Sequence, residues 1–310
     1  MAVSVIMPAY NSERFIGEAI QSVLNQTLQD WELIVVNDCS SDNTANIIKL
    51  FSDRRIRLIN MQQNQGPAMA RIIGTDEASY EYVSYFDSDD RLCPRAFEVL
   101  SAEFKKEHNP VLVYADYVRI DEHGNRYGLR NFVPLVHRPS GNVLEHFLIK
   151  NNLPNGGCAL VRKDAVVKSR CWNKHIRNAE DWVAWTLLAT EGAFTYVRNF
   201  IALEYRELPT GLSQSANVLY TNMLPAVDAV YSDERIIKRF SKTKLQALRS
   251  KQEAHIWTYI AMLNVRKRLW KISLSCIWQA IRKAPERAVI NLSSFMFAIV
   301  DSVLKIPKML

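Results

Sequence analysis

The sequence predicts a three-layer α/β fold, a mostly parallel central sheet flanked by helices, with a helical extension at the C-terminal end. Three observations predict it. Short apolar runs alternate with helical patterns over residues 3–116, as in β–α–β units with right-handed crossovers. The runs are nearly continuous in apolar character, which suits strands buried on both faces. Residues 212–310 carry no strand pattern.

Val3 to Met7 is the first run, Glu32 to Val36 the second, Arg57 to Ile59 a weak third, Tyr82 to Phe86 the fourth and Val111 to Tyr114 the fifth. Phe15, Ile16, Ala19, Ile20, Val23 and Leu24 fall on one face of a helix, with Asn11 or Ser12 as its cap. Ile47, Ile48 and Phe51 mark a second helix after Ser40 and Ser41. Gly66 to Ala78 is a third, and Pro94 to Lys106 a fourth with proline in its first turn. From about 120 to 155 the pattern loosens through Gly124, Gly128, Pro134, Pro139, Gly141 and Pro154, which reads as loops or a small lid. Cys158 to Val161 is a returning strand, Asp181 to Thr190 a helix, and Phe194 to Val197 and Ile201 to Tyr205 two short strands.

Composition narrows the class. With 310 residues, 48% apolar and 23% charged, the chain is neither disordered nor fibrous, and it is long enough to bury a core without disulfides. Five cysteines, widely spaced and without a C-x-x-C pair, exclude a common zinc module and point to a reducing cytosol. Met1 is followed by Ala-Val-Ser-Val-Ile, so no signal peptide is expected. The net charge of +7 is uneven: residues 212–310 hold 16 Lys and Arg against 6 Asp and Glu, and the remainder is mildly acidic. Such a region suits nucleic acid or an anionic membrane face. No nucleic-acid motif is present, so nucleic acid is not expected as a partner.

In α/β sheets, ligands bind beyond the carboxyl ends of the strands. Those ends carry Pro8-Ala9-Tyr10-Asn11, Asn37-Asp38 and Asp87-Ser88-Asp89-Asp90. Three carboxylates in four residues repel one another, and a hard divalent cation with oxygen ligands relieves that, taking one or two carboxylates and filling its shell with phosphate and water. The other reading is an acidic turn ahead of the helix that Pro94 begins.

Five motifs, Val5 to Asn11, Ser22 to Thr27, Glu32 to Asp42, Asn64 to Arg71 and Phe86 to Asp90, together resemble the ordered motifs of the family 2 glycosyltransferases with the GT-A fold, a Rossmann-like architecture. The resemblance covers roughly residues 2–215. It implies an inverting enzyme of the bacterial surface-polysaccharide type, using a nucleotide sugar, expected to be a UDP-sugar, with Mn²⁺ or Mg²⁺. Pro8, Ala9 and Tyr10 then line the nucleotide pocket, Asp38 accepts a hydrogen bond from the base, and Arg71 neighbours the base and diphosphate. Asp87 meets the ribose, with Ser88 beside it in the nucleotide site, and Asp89 together with Asp87 holds the metal. The plainer readings are a turn cap for Asp38 and a solvent-facing arginine for Arg71. The family usually has Asp-Gly-Ser where this chain has Asp38-Cys39-Ser40, which restricts the backbone at that turn.

Asn178-Ala-Glu-Asp-Trp182 resembles the family's Glu-Asp motif, which makes Asp181 the catalytic base and Glu180 an aid to the acceptor. Inverting transfer needs a positioned carboxylate to take the acceptor's proton. The alternative is that both acids merely favour a helix N-terminus. Asn155-Gly156-Gly157 permits close backbone approach to donor or acceptor, or is a plain turn. Trp182 and Trp185 are candidates for stacking on a sugar ring, with core packing the expectation for Trp185. Arg206, Ser213 and Ser215 resemble the family's closing segment, which folds over the diphosphate. His137, His146 and His175 show no metal-ligand spacing.

The resulting division is a catalytic domain over 1–211, with a nucleotide-binding half (1–116) and an acceptor half (117–211), then a basic helical region over 212–310. The acceptor is a glycan or lipid-linked oligosaccharide. Tryptophans among Lys and Arg in 250–310 suit peripheral contact with the inner face of the cytoplasmic membrane, or helices packed on the catalytic domain. No window offers about 18 uninterrupted apolar residues for a spanning helix. Two rival readings are a nucleotidyltransferase, which needs a Gly-rich loop where Pro8 to Asn11 stand, and a non-catalytic glycan-binding or scaffold protein on the same fold.

Overall fold

The strands, in chain order, are β1 (Val3–Ala9), β2 (Trp31–Asn37), β3 (Ile56–Asn60), β4 (Tyr82–Tyr85), β5 (Arg91–Leu92), β6 (Leu112–Ile120), β7 (Ala159–Arg162) and β8 (Phe194–Arg206). The helices are α1 (Ile16–Leu24), α2 (Thr44–Lys49), α3 (Pro67–Glu77), α4 (Ala96–Glu103), α5 (Leu144–Ile149), α6 (Lys163–Ser169), α7 (Glu180–Leu188), α8 (Tyr220–Tyr231), α9 (Glu234–Ile237), α10 (Lys242–Arg266), α11 (Trp270–Lys283) and α12 (Ala288–Leu304). The structure, a computed structural model, describes residues 1–106, 109–127, 138–153, 155–208 and 220–304. Gly128, Pro134, His137, Pro154, Ser213, Ser215 and the 211/212 boundary fall outside the described residues.

The strands form one sheet in the order β3-β2-β1-β4-β7-β6-β8-β5. β1 lies parallel between β2 and β4, and all of Val3 to Met7 is buried, as its apolar run requires. β7 is the returning strand, antiparallel to both β4 and β6, while β6 and β8 run parallel. The two short strands expected near residue 200 are one strand, β8. Asn199 takes a left-handed backbone (φ 57°) within it, and its pairing with β6 shifts register.

The cap of α1 also differs from expectation. No side chain caps that helix: Phe15 N–H and Ile16 N–H donate to the Ser12 carbonyl instead. The Ser12 hydroxyl is thereby free to pair with Ser88 Oγ at 2.7 Å, tying the β1 loop to the acidic motif.

The C-terminal helices pack onto the α/β body. α8 lies on α7, and α10 lies on α5 and α8, with α11 and α12 in turn on α10. Tyr231 Oη donates to the Leu148 carbonyl at 2.8 Å, and Lys244 pairs with Glu145 at 2.8 Å. Ile277 and Phe295 join the same apolar core as the sheet. Among the described residues no helix is long and apolar enough to cross a membrane.

Candidate functional site

The pairing of Ala9 with Asn37 and of Ile6 with Tyr85 puts the ends of β1, β2 and β4 at one edge of the sheet. Pro8 and Ala9 close β1, and Tyr10 beyond them is 53% exposed. Side chains lace the first two loops together. Asn11, itself left-handed at φ 48°, accepts from Ser41 N–H at 2.9 Å, and Ser12 N–H donates to Thr44 Oγ1 at 2.8 Å. Asp38 is buried, and its two oxygens accept from Gln65 N–H (2.8 Å) and Gly66 N–H (2.7 Å). It therefore pins the start of α3, and Arg71 stands one turn further along that helix.

Arg71 is buried and spans two acidic groups. One nitrogen reaches Asp87 Oδ1 at 2.9 Å and another Glu180 Oε1 at 3.1 Å, with the guanidinium over the Trp172 ring at 4.8 Å. Burial opposes its charge, but Asp87, Glu180 and Asp181 outweigh that and hold it firmly protonated. It is neither solvent-facing nor free.

Asn155 fixes the acidic loop from the other side. Its Nδ2 donates to Asp87 Oδ2 (3.1 Å) and Asp90 Oδ2 (2.9 Å), while its Oδ1 accepts from Gly157 N–H (2.7 Å). Asp90 also accepts from Arg206 N–H at 2.7 Å, and burial pushes its carboxyl well above the usual range. Asp89 is raised to about 6 by burial and by the neighbouring Asp87, with Arg206 and its own N–H pulling the other way.

Asp181 stands in the first turn of α7, entered through left-handed Ala179 (φ 59°). Its Oδ2 accepts from Asn151 Nδ2 at 2.8 Å and its Oδ1 from Trp182 N–H at 2.7 Å. Burial first, then Glu180, raises it to about 6, close to the pH at which a carboxylate works well as a base. Glu180 itself is engaged by Arg71, so its carboxylate reaches the site through that ion pair.

Three sequence readings change. Gly156 and Gly157 do allow close approach, but to the protein: a Cβ would lie 2.6 Å from the Tyr85 carbonyl or 2.9 Å from the Phe86 ring. Trp182 is core, with Nε1 donating to the Phe147 carbonyl at 2.6 Å, whereas Trp185 is buried against Tyr85 and Trp172 as expected. Arg206 lies inside rather than over a ligand. It donates to the carbonyls of Asp89 (2.8 Å) and Asp121 (3.1 Å) and pairs with Glu18 at 2.7 Å. Asn151 and Ser12 join the site without a sequence motif that points to them. For Asn155 the available signal was an asparagine before two glycines, a favoured cap.

The acidic loop suits a hard cation. Among the described residues no group of three or more metal-ligating side chains occurs. Asp89 is a half-buried carboxylate beside a second negative charge, which an ion held by Asp89 and Asp87 and completed by phosphate and water would relieve.

The sequence matches the Glycosyl transferase family 2 profile over residues 4–169. Glycosyltransferase TuaG of Bacillus subtilis (strain 168), named for teichuronic acid biosynthesis, is 31% identical over 69% of this chain and 82% of its own. WfgD of Escherichia coli, a UDP-Glc:alpha-D-GlcNAc-diphosphoundecaprenol beta-1,3-glucosyltransferase, is 40% identical over 37% of this chain and 45% of its own. Other relatives are matched over 26% to 51% of their own length. The crystal structure of S. aureus TarS 1-349 in complex with UDP-GlcNAc superposes with a TM-score of 0.65 at 16% identity, over 97% of this chain and 89% of that one, which shows the GT-A fold. Profile, relatives and strand-end geometry converge: the chain belongs to glycosyl transferase family 2 and is a glycosyltransferase.

Proposed function

We propose that this chain is an inverting, metal-dependent transferase that moves a sugar from a UDP-sugar to a hydroxyl of a glycan or lipid-linked oligosaccharide in surface-polysaccharide synthesis. The names of TuaG and WfgD support that donor and acceptor class. Pro8, Ala9, Tyr10 and Asp38 line the nucleotide pocket, with Asp87 and Ser88 beside the ribose. Asp89 and Asp87 hold Mn²⁺ or Mg²⁺, which when bound supplies positive charge to the departing diphosphate. Asp181 takes the proton of the acceptor hydroxyl as its oxygen forms the new bond to the anomeric carbon and the bond to the diphosphate oxygen breaks. Residues 1–211 form the catalytic domain. The helices of residues 220–304 make peripheral contact with the inner face of the cytoplasmic membrane.

The observation that carries this reading is the Arg71 bridge. One buried cation joins the Asp87 cluster to the Glu180–Asp181 pair, so the leaving-group side and the base side are held at a fixed separation. Calorimetry with UDP, with and without Mn²⁺, tests it together with two variants. Asp89→Asn is expected to abolish the gain in UDP affinity from Mn²⁺. Asp181→Asn is expected to bind UDP like the parent but to transfer sugar at least about a hundredfold more slowly. Full transfer by Asp181→Asn, or no UDP binding by the parent, would overturn the reading.

A further inference from the structure

Large apolar side chains in solvent are concentrated in one part of the molecule. Of the sixteen that are exposed among the described residues, ten lie between Leu269 and Phe297. On α11, Trp270, Leu274 and Trp278 recur every fourth residue, so they form one stripe, and Arg282 continues it. Trp278 is 59% exposed. Ser273, Cys276, Ile277 and Ala280 make the buried face, which packs on α10. On α12, Val289 (81% exposed), Met296 and Phe297 stand outward, while Asn291, Phe295 and Ala298 are buried. Exposed apolar side chains so concentrated on two neighbouring helices of a folded domain mark contact with something else.

Charge selects the occupant. From Ala254 to Pro285 the chain has no Asp or Glu, and it has six Lys and Arg. Lys267, Arg268 and Lys271 are exposed at the start of α11, and Arg282 is exposed near its end. A second copy of the same face would bring these cations against one another. A bilayer with anionic headgroups meets both features at once, since tryptophan favours the headgroup boundary and Lys and Arg favour anionic lipid.

We propose that the α11–α12 hairpin is a docking face for an anionic lipid surface. The Trp270–Leu274–Trp278 stripe and the outward side of α12 enter the headgroup boundary, and Lys267, Arg268, Lys271 and Arg282 contact the headgroups. This deepens the membrane contact assigned above and narrows it from 250–310 to the exposed faces of two helices. The hairpin is braced against the acceptor side of the catalytic body. α10, which carries both helices, packs on α5, and Asn151, two residues beyond α5, holds Asp181.

Co-sedimentation of the full chain tests the proposal, using vesicles of phosphatidylcholine alone and vesicles containing about one third phosphatidylglycerol. Binding is expected only with phosphatidylglycerol, weakening as salt rises. The triple variant Lys267→Glu, Arg268→Glu, Lys271→Glu should lose about a hundredfold in vesicle affinity. The double variant Leu274→Ser, Trp278→Ser should show a smaller blue shift of tryptophan emission on vesicles, with Trp270 left as the boundary tryptophan. No binding to either vesicle overturns the proposal. So does equal binding to both that the triple variant retains, and so does a dimer in solution that the double variant dissolves. UDP binding by each variant is measured alongside, because it depends on the strand-end site. Its loss in the parent would count against the transferase reading alone.

Discussion

At the strand-end rim, Asp38, Asp90 and Arg71 lie in the interior, each held by partners at 2.7–3.1 Å. On α11 and α12, Trp278 and Val289 stand in solvent. Both regions break the usual sorting of polar outside and apolar inside, in opposite directions. A buried charge is tolerable only with its partner in place, so the rim behaves as one connected unit. An exposed apolar side chain has little to lose in the free protein and gains only when another surface arrives. The rim therefore encodes function in internal pairs, where one change spreads. The hairpin encodes it in side chains that act separately.

The largest expected effect falls on the rim. Arg71→Met leaves the partly exposed Asp87 and the half-buried Glu180 without their shared cation, and should cost about 3 kcal/mol of folding stability. Trp278→Ser should stay within about 0.5 kcal/mol of the parent. Urea unfolding of the two variants compares the regions directly, and equal losses would erase the distinction.

Asn155→Leu comes next. It keeps the volume but removes both donors to Asp87 and Asp90, for an expected loss of about 1–3 kcal/mol. Weaker Mn²⁺-dependent UDP binding in the folded fraction should accompany it. A stability loss without any change in that binding would make Asn155 structural only.

The difference between regions also explains what the sequence made legible. The strands from Val3, Glu32 and Tyr82 declare themselves by continuous apolar runs, and the acidic motif by local charge density, so the fold and the rim are readable over short windows. Asn151 carries no such local signal, and the Asn155-Gly156-Gly157 motif does not show what Asn155 holds, because the carboxylates the two asparagines engage come from 30 and more than 60 residues away. Arg206 misleads for the same reason: its position after the last strand suggests a ligand contact, yet Asp89, Asp121 and Glu18 surround its guanidinium. The C-terminal helices show their basic charge in the sequence. Which apolar residues face outward depends on how α11 and α12 pack on α10.

A smaller effect is expected from pH. Asp181 is held near 6 by burial and by Glu180, and a base works only when deprotonated. Transfer should therefore be on its plateau above about pH 7 and fall about tenfold per unit below pH 6. Vesicle binding should stay flat over the same range, since Lys and Arg as a class do not titrate there. A pH–rate profile measured beside vesicle binding separates the two regions. A rate that stays constant down to pH 5 would remove Asp181 from the role of base.

The smallest effect offers the sharpest comparison, because the backbone change is the same in both regions. Cys39, next to Asp38 at the rim, and Arg268, in the turn between α10 and α11, both hold left-handed backbones, at φ 61° and φ 60°. An L-residue pays about 1–2 kcal/mol there, and glycine removes that strain while giving back part of it in chain entropy. Cys39→Gly and Arg268→Gly should each stabilise the fold by about 0.5–1 kcal/mol. Their functional consequences should diverge. Cys39 is exposed and lies outside every pair that holds the acidic cluster, so Cys39→Gly should leave UDP affinity unchanged. Arg268→Gly removes one headgroup contact, so vesicle affinity should drop about fivefold even as the melting temperature rises. Stability and binding moving in opposite directions at residue 268, but not at residue 39, is what a region built from separately acting side chains requires.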